Sequence, residues 1–369
     1  MSGQDHSRGG IGMVRGLVCA ALAALVLVGG VPVSAQLPET TTTTVAPLVR
    51  KVTPAVVNIS TRTVAPAEEN PLYNDPFFRR FFNVPRNLPP RETRAAGSGV
   101  IVDARAGYVL TNNHVVANAD RIDVTTKDNR SFHAKLVGTD PSTDIAVLRI
   151  EPNGLYDIPF GDSSKVEVGD FVLAIGNPFG LGQTVTSGMV SAIGRSGLGI
   201  EGYEDFIQTD ASINPGNSGG ALVNFKGELI GINTAILAPG GGNIGIGFAV
   251  PINMARSVMT QIVEHGSVRR GRIGIAVQDL TPDLAEALST GRQQGAAVVD
   301  VEPNSPAARA GLKSGDVVVS VGGEPIRSAT ELRNRIGLTP VGTTLSLGVE
   351  RGNRPVAVEV KVGQAQARE

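Results

Sequence analysis

Gly216-Asn217-Ser218-Gly219-Gly220 decides how this chain is read, because two other strings stand upstream of it: Thr111-Asn112-Asn113-His114-Val115-Val116 and Thr143-Asp144-Ile145-Ala146-Val147-Leu148. A histidine, an aspartate and a serine follow one another in that order. A serine hydroxyl is inert near neutral pH unless a base takes its proton during attack, and histidine titrates in the range that work needs. His114 is then the base, Ser218 the nucleophile, and Asp144 the group that fixes the imidazole tautomer and stabilises its charged form. Gly216, Gly219 and Gly220 permit a tight turn along Gly216, Asn217 and Ser218. Backbone N–H groups there, those of Gly216 and Ser218 foremost, converge where an oxyanion would sit, each such donor being worth about 3 to 4 kcal/mol.

Each string alone has a plainer reading as a glycine turn, a structural histidine or a surface aspartate. Their joint occurrence in this order favours catalysis. Asp140 competes for the aspartate role, but it precedes Pro141 in a turn, whereas Asp144 leads directly into the apolar stretch Ile145 to Ile150.

At 369 residues the chain is long enough for two or three domains with cores of their own. Its 46 glycines and absence of tryptophan suit many short strands joined by turns, hence a mainly β fold. A formal net charge of −1, with no basic tract longer than the Arg269-Arg270 pair, argues against nucleic acid as a partner. The single cysteine, Cys19, rules out a disulfide framework and cysteine-based metal sites in the folded part. His6, His133 and His265 are too scattered for zinc, so neither a metal nor a cofactor is expected.

Arg8 and Arg15 precede an uncharged apolar run that ends in Pro32-Val33-Ser34-Ala35-Gln36. Residues 1–35 read as a signal peptide cleaved after Ala35 or as an uncleaved membrane anchor, and either places the remainder outside the cytoplasm. Residues 36–47, with Thr40 to Thr44 between prolines, read as an extended linker, and order begins near Leu48. Residues 65–96 form a long irregular loop that holds Tyr73, Phe77, Phe78, Phe81 and Phe82. Aromatics on a loop need an apolar partner, either the loop's own domain or a neighbouring subunit. Strands then recur at barrel-like spacing through 250, enough for two six-stranded barrels, and Pro251 opens a helix ended by Gly266. Its apolar face carries Ile252, Ala255, Val258, Met259, Ile262 and Val263. Residues 48–266 thus form one domain and 267–271 a linker. A second, α+β domain follows over 272–362, with helices capped at Ser305 and Ser328, before a tail at 363–369.

From 48 to 362 the sequence resembles the HtrA/Deg family of extracytoplasmic serine proteases, most specifically in Gln208-Thr209-Asp210-Ala211-Ser212-Ile213-Asn214-Pro215-Gly216-Asn217-Ser218-Gly219-Gly220. The resemblance implies a chymotrypsin-like double β-barrel followed by one C-terminal PDZ domain. It also implies an acyl-enzyme mechanism on His114, Asp144 and Ser218, and a homotrimer bridged by the long loop. Arg272-Ile273-Gly274-Ile275 matches the PDZ loop that receives a peptide C-terminal carboxylate. Ser212, six residues before the nucleophile, takes the floor of the primary pocket, with Ile213, Ile236 and Leu237 as walls. Without a carboxylate there, a basic side chain would be buried unpaired, so cleavage after small or medium apolar residues is expected. Such residues are accessible chiefly in unfolded proteins. The leading expectation is an ATP-independent endopeptidase of misfolded extracytoplasmic proteins. The alternatives are a peptide-activated protease of one membrane substrate and an inactive peptide-binding chaperone scaffold.

Overall fold

The computed structural model describes residues 44–65, 91–178, 182–198, 202–214, 216–236 and 245–364, and from Val45 on they belong to one compact unit. The apolar N-terminal segment, the aromatic residues 73–82 and Leu237 lie outside the described residues. Among those described, no helix is long and apolar enough to cross a membrane.

The first described element is helix α1 (Ala46–Val52), which starts two residues ahead of Leu48, with Pro47 in its first turn, where a missing N–H costs nothing. The first barrel is built from β1 (Val56–Ala65), β2 (Arg91–Asp103), β3 (Tyr108–Thr111), β4 (Arg121–Thr125), β5 (Ser131–His133), β6 (Lys135–Asp140) and β7 (Ile145–Arg149). Its sheet order is β5-β4-β1-β2-β3-β7-β6, seven strands where six were expected. The extra strand arises because one stretch breaks at the buried Ala134, whose N–H goes to Ile122. Its first half pairs with β4 and its second with β7, so the chain itself joins the two edges of the sheet. The expected loop 65–96 is also shorter than its boundaries, since the β1–β2 ladder continues to Ala65↔Arg91.

The second barrel is closed, in the order β10-β13-β12-β11-β8-β9. It consists of β8 (Phe171–Gly176), β9 (Thr184–Arg195), β10 (Phe206–Thr209), β11 (Ala221–Asn224), β12 (Leu229–Ile236) and β13 (Gly247–Pro251). One apolar core runs through both barrels, with the Phe206 and Phe248 rings 5.8 Å apart within it. Between β3 and β4 lies a single helical turn, α2 (Asn113–Val116).

Helix α3 (Ile252–His265) closes this domain and ends at Gly266, whose φ of 77° is the left-handed conformation that glycine adopts without strain. Its buried face differs from the periodic reading: Met254 is buried although not expected on that face, and Met259 is only partly buried. Val263 is exposed, and Gln261 is buried because its amide bridges the Leu338 carbonyl and the Arg269 N–H.

The C-terminal domain carries the five-stranded path β15-β16-β17-β19-β20 from β15 (Ile275–Asp279), β16 (Ala296–Val301), β17 (Val317–Val321), β19 (Thr344–Arg351) and β20 (Arg354–Lys361). A short β18 (Glu324–Pro325) pairs with β17. The two-stranded ladder of β14 (Gly271–Arg272) with β21 (Gly363–Gln364) draws Gly271 of the expected linker and Gly363 and Gln364 of the expected tail into the domain. Helices α4 (Pro282–Ala287), α5 (Pro306–Arg309) and α6 (Ala329–Leu338) complete it. Thr281, Ser305 and Ser328 cap them through their hydroxyls.

Candidate active site

Strands β3 and β7 pair with Thr111 opposite Ala146, and this register carries the two flanking segments, α2 and the turn before β7, into contact. His114 Nδ1 lies 2.8 Å from Asp144 Oδ2, while the His114 backbone N–H donates to Asp144 Oδ1 at 3.0 Å. Asp144 adopts a left-handed φ of 54°, held by the Asn112 side-chain amide and the Asn113 N–H, both donating to its carbonyl. The Asp144 carboxylate is 2 % exposed and the His114 imidazole half exposed, so the carboxylate is sequestered while the ring faces solvent. Asp140 is excluded as the partner. Its carboxylate is buried at the end of β6, taken by the Thr143 hydroxyl and by Arg270 Nη2 at 2.5 Å.

The second barrel supplies the serine. Ser218 sits in the turn leading into β11, its hydroxyl donating to the Thr234 carbonyl at 3.1 Å. The Thr234 hydroxyl in turn donates to Asp144 Oδ2 at 2.5 Å. Thr234 thus touches both the acid and the serine, although no motif marked it. Gly219 has φ +82°, and a Cβ there would lie 2.1 Å from the Ser98 carbonyl oxygen. Glycine is required on both counts. The Asn217 N–H goes to the Asn214 carbonyl at 2.9 Å, which removes Asn217 from the expected oxyanion donors. Among the described residues, the N–H groups of Gly216 and Ser218 engage no acceptor.

Residues 97–232 match the trypsin-like peptidase domain family, and residues 271–362 match the PDZ domain family. The periplasmic pH-dependent serine endoprotease DegQ of Escherichia coli (strain K12) is 51 % identical over 316 residues, 85 % of this chain and 69 % of that protein. The chain belongs to the HtrA/Deg family of serine endoproteases. The periplasmic serine endoprotease DegP of the same organism is 48 % identical, covering 94 % of this chain and 80 % of that one. Among solved structures, the HtrA-type protease AlgW with tripeptide superimposes with a TM-score of 0.67 at 44 % identity, over 88 % of this chain and 98 % of that one.

Within this HtrA/Deg chain, the expected specificity residues are differently placed. The Ser212 carbonyl accepts from the Thr186 hydroxyl at 2.8 Å, tying that segment to β9. Ile213 is 1 % exposed and packs in the core of the second barrel, against Gly247. Ile236 ends β12.

The PDZ loop Arg272-Ile273-Gly274-Ile275 borders a groove of about 240 Å³ between β15 and α6. The Ile273 carbonyl accepts from the Ala307 N–H at 2.8 Å and the Gly274 carbonyl from the Glu302 N–H at 3.0 Å. In a planar trans peptide the N–H points opposite its carbonyl, so the N–H groups of Gly274 and Ile275 are directed away from those partners. Gly274 has φ +80°, and a Cβ there would meet the Ser305 side chain at 2.3 Å. Gly202 and Tyr203, from the β9–β10 connection of the protease domain, line the same groove. Tyr203 carries the Arg270 guanidinium 4.0 Å over its ring. Beside it the Asn334 amide donates to the Glu204 carbonyl at 2.8 Å. Burial, reinforced by Glu331 and opposed by Arg335 and Arg327, pushes the Asp205 carboxyl up to about 7.

Proposed function

We propose that this chain is an active, ATP-independent serine endopeptidase of unfolded extracytoplasmic proteins, with His114, Asp144 and Ser218 as its catalytic triad. The observation that carries this reading is the 2.8 Å contact of His114 Nδ1 with a carboxylate 2 % exposed, beside a serine held in a glycine turn. His114 takes the Ser218 proton as the hydroxyl attacks a peptide carbonyl and returns it to the leaving amine. Asp144 stabilises the imidazolium, and the N–H groups of Gly216 and Ser218 hold the oxyanion. The acyl-enzyme is then hydrolysed by the same groups in reverse. The absence of a carboxylate at Ser212 supports cleavage after small or medium apolar residues. The periplasmic names of DegQ and DegP support an extracytoplasmic location, to which residues 1–35 direct the chain.

A homotrimer finds support in an apolar cluster on the second barrel. Phe171 and Phe225 are 59 % and 47 % exposed with ring centroids 5.8 Å apart, and Met189 pairs with Phe171 across β8 and β9. Regulation by peptide is favoured by Tyr203, because a peptide C-terminus entering the PDZ groove would meet a residue of the protease domain.

The test uses a fluorophosphonate probe and unfolded casein, with the full chain and its Ser218→Ala variant, each with and without peptides ending in apolar residues. Labelling and cleavage lost only in the variant support the protease, and stimulation by peptide supports regulation through the groove. Silence from both proteins would leave a binding scaffold.

A further inference from the structure

The turn bearing Ser218 is held by a residue of the other barrel, Ser98 on β2, which is fully buried. Its hydroxyl donates to the Gly216 carbonyl at 2.5 Å, and its backbone N–H donates to the Ser218 carbonyl at 2.8 Å. A hydroxyl has one hydrogen to give. The Asn177 N–H occupies an acceptor position of the Ser98 oxygen at 2.7 Å, which directs the hydroxyl hydrogen to Gly216. Asn177 is itself fixed from β1, its carbonyl accepting from the Asn58 amide at 2.8 Å.

The Gly216–Asn217 peptide is held at both ends, its carbonyl by Ser98 and its N–H by Asn214. The Asn217 carbonyl takes the Gly220 N–H, which sends the Ser218 N–H the opposite way. The Gly219 N–H goes to the Asn233 carbonyl. Among the described residues, what remains unspent is the N–H of Gly216 and the N–H of Ser218. Gly216, at φ +101°, has the freedom to rotate its peptides if the carbonyl is released.

We infer that Ser98 is a positioning residue for catalysis: by fixing the Gly216 and Ser218 carbonyls from the first barrel, it aims the two free N–H groups at the oxyanion. The inference rests on the assignment of Ser218 as nucleophile. Oxyanion donors act only if they are already oriented when charge develops, and a misplacement of about 1 Å costs about a hundredfold.

The test compares the full chain with Ser98→Ala, below the unfolding temperature of both, for kcat and KM on an apolar peptide substrate. It adds inhibition by a peptide boronic acid, whose tetrahedral adduct places an oxygen where the oxyanion sits. The expected result is a kcat lower by about 10- to 100-fold, a KM within about twofold, and a boronate inhibition constant raised by the same factor as kcat falls. Unchanged kcat and boronate affinity with only a lowered unfolding temperature overturns the inference, as does a change confined to KM. Should Ser98→Ala not fold, Ser98→Cys retains nearly the same shape with a weaker donor, and the same pattern is expected at several-fold size. A parallel Ser218→Ala variant separates the two assignments. Cleavage surviving there refutes the nucleophile itself, whereas its loss alongside a fully active Ser98→Ala refutes only the positioning role.

Discussion

The molecule has two internal seams, and they are built on opposite principles. Between the barrels, Ser98, Thr111 and Asn58 are buried and hydrogen-bonded to backbone, and Asp144 of one barrel meets Thr234 of the other. Between protease and PDZ domains the contact is polar and open, with clefts of about 630 and 850 Å³ beside it. There Arg270 spans from the linker to Asp140 and Tyr203, and Asp205 faces Glu331. A seam of buried side chains tied to backbone holds its atoms more firmly than one bordered by open clefts. The proposed triad sits on the first seam and the PDZ groove borders the second.

The largest effect is expected where the first seam meets the chemistry. Asp144→Asn keeps the shape but offers His114 the wrong partner for its tautomer, and kcat should fall about ten-thousandfold with the fold intact by circular dichroism. Gly219→Ala attacks the same seam through sterics. A left-handed alanine costs about 1–2 kcal/mol, and crowding the Ser98 carbonyl costs about 1–3 kcal/mol more; urea unfolding should register the sum, with activity lost in the folded fraction.

Effects at the second seam should be smaller and should spare the triad. Arg270→Ala leaves the buried Asp140 without its ion pair and Tyr203 without its stacked cation, at a cost of about 1–3 kcal/mol. Hydrogen exchange should rise at the PDZ junction while the barrel strands keep their protection. An equal rise in the barrels would mean that the two seams are one cooperative unit.

The smallest effect concerns pH. The Asp205 carboxyl is raised by folding, so its contribution is fully present below about 4 and is lost as pH rises through about 7. The unfolding temperature of Asp205→Asn should therefore fall less between pH 5 and pH 8 than that of the unmodified chain. Parallel curves would remove Asp205 from the account.

Legibility in the sequence followed the same division. The positions of His114, Asp144 and the Ser218 turn stood out because each depends on its immediate neighbours: a helical turn, a strand start, a glycine pair. Thr234 and Ser98 carried no signal, because their roles come from partners 90 and 118 residues away in the chain. Ile213 was read as a pocket wall beside Ser212, but closure of the second barrel turned it into the core. The split at Ala134 was invisible for a similar reason, since only the pairing of both sheet edges with one stretch divides it in two.

If unfolded chains are its substrates, as proposed, this endopeptidase is when first made such a chain itself. The proposed base and acid come from one barrel and the proposed nucleophile from the other, and the contacts that join them reach across about a quarter to a third of the sequence. A molecule with a single barrel formed therefore owns no working nucleophile. Under that proposal, self-digestion waits until contacts 90 to 118 residues apart in the chain have closed.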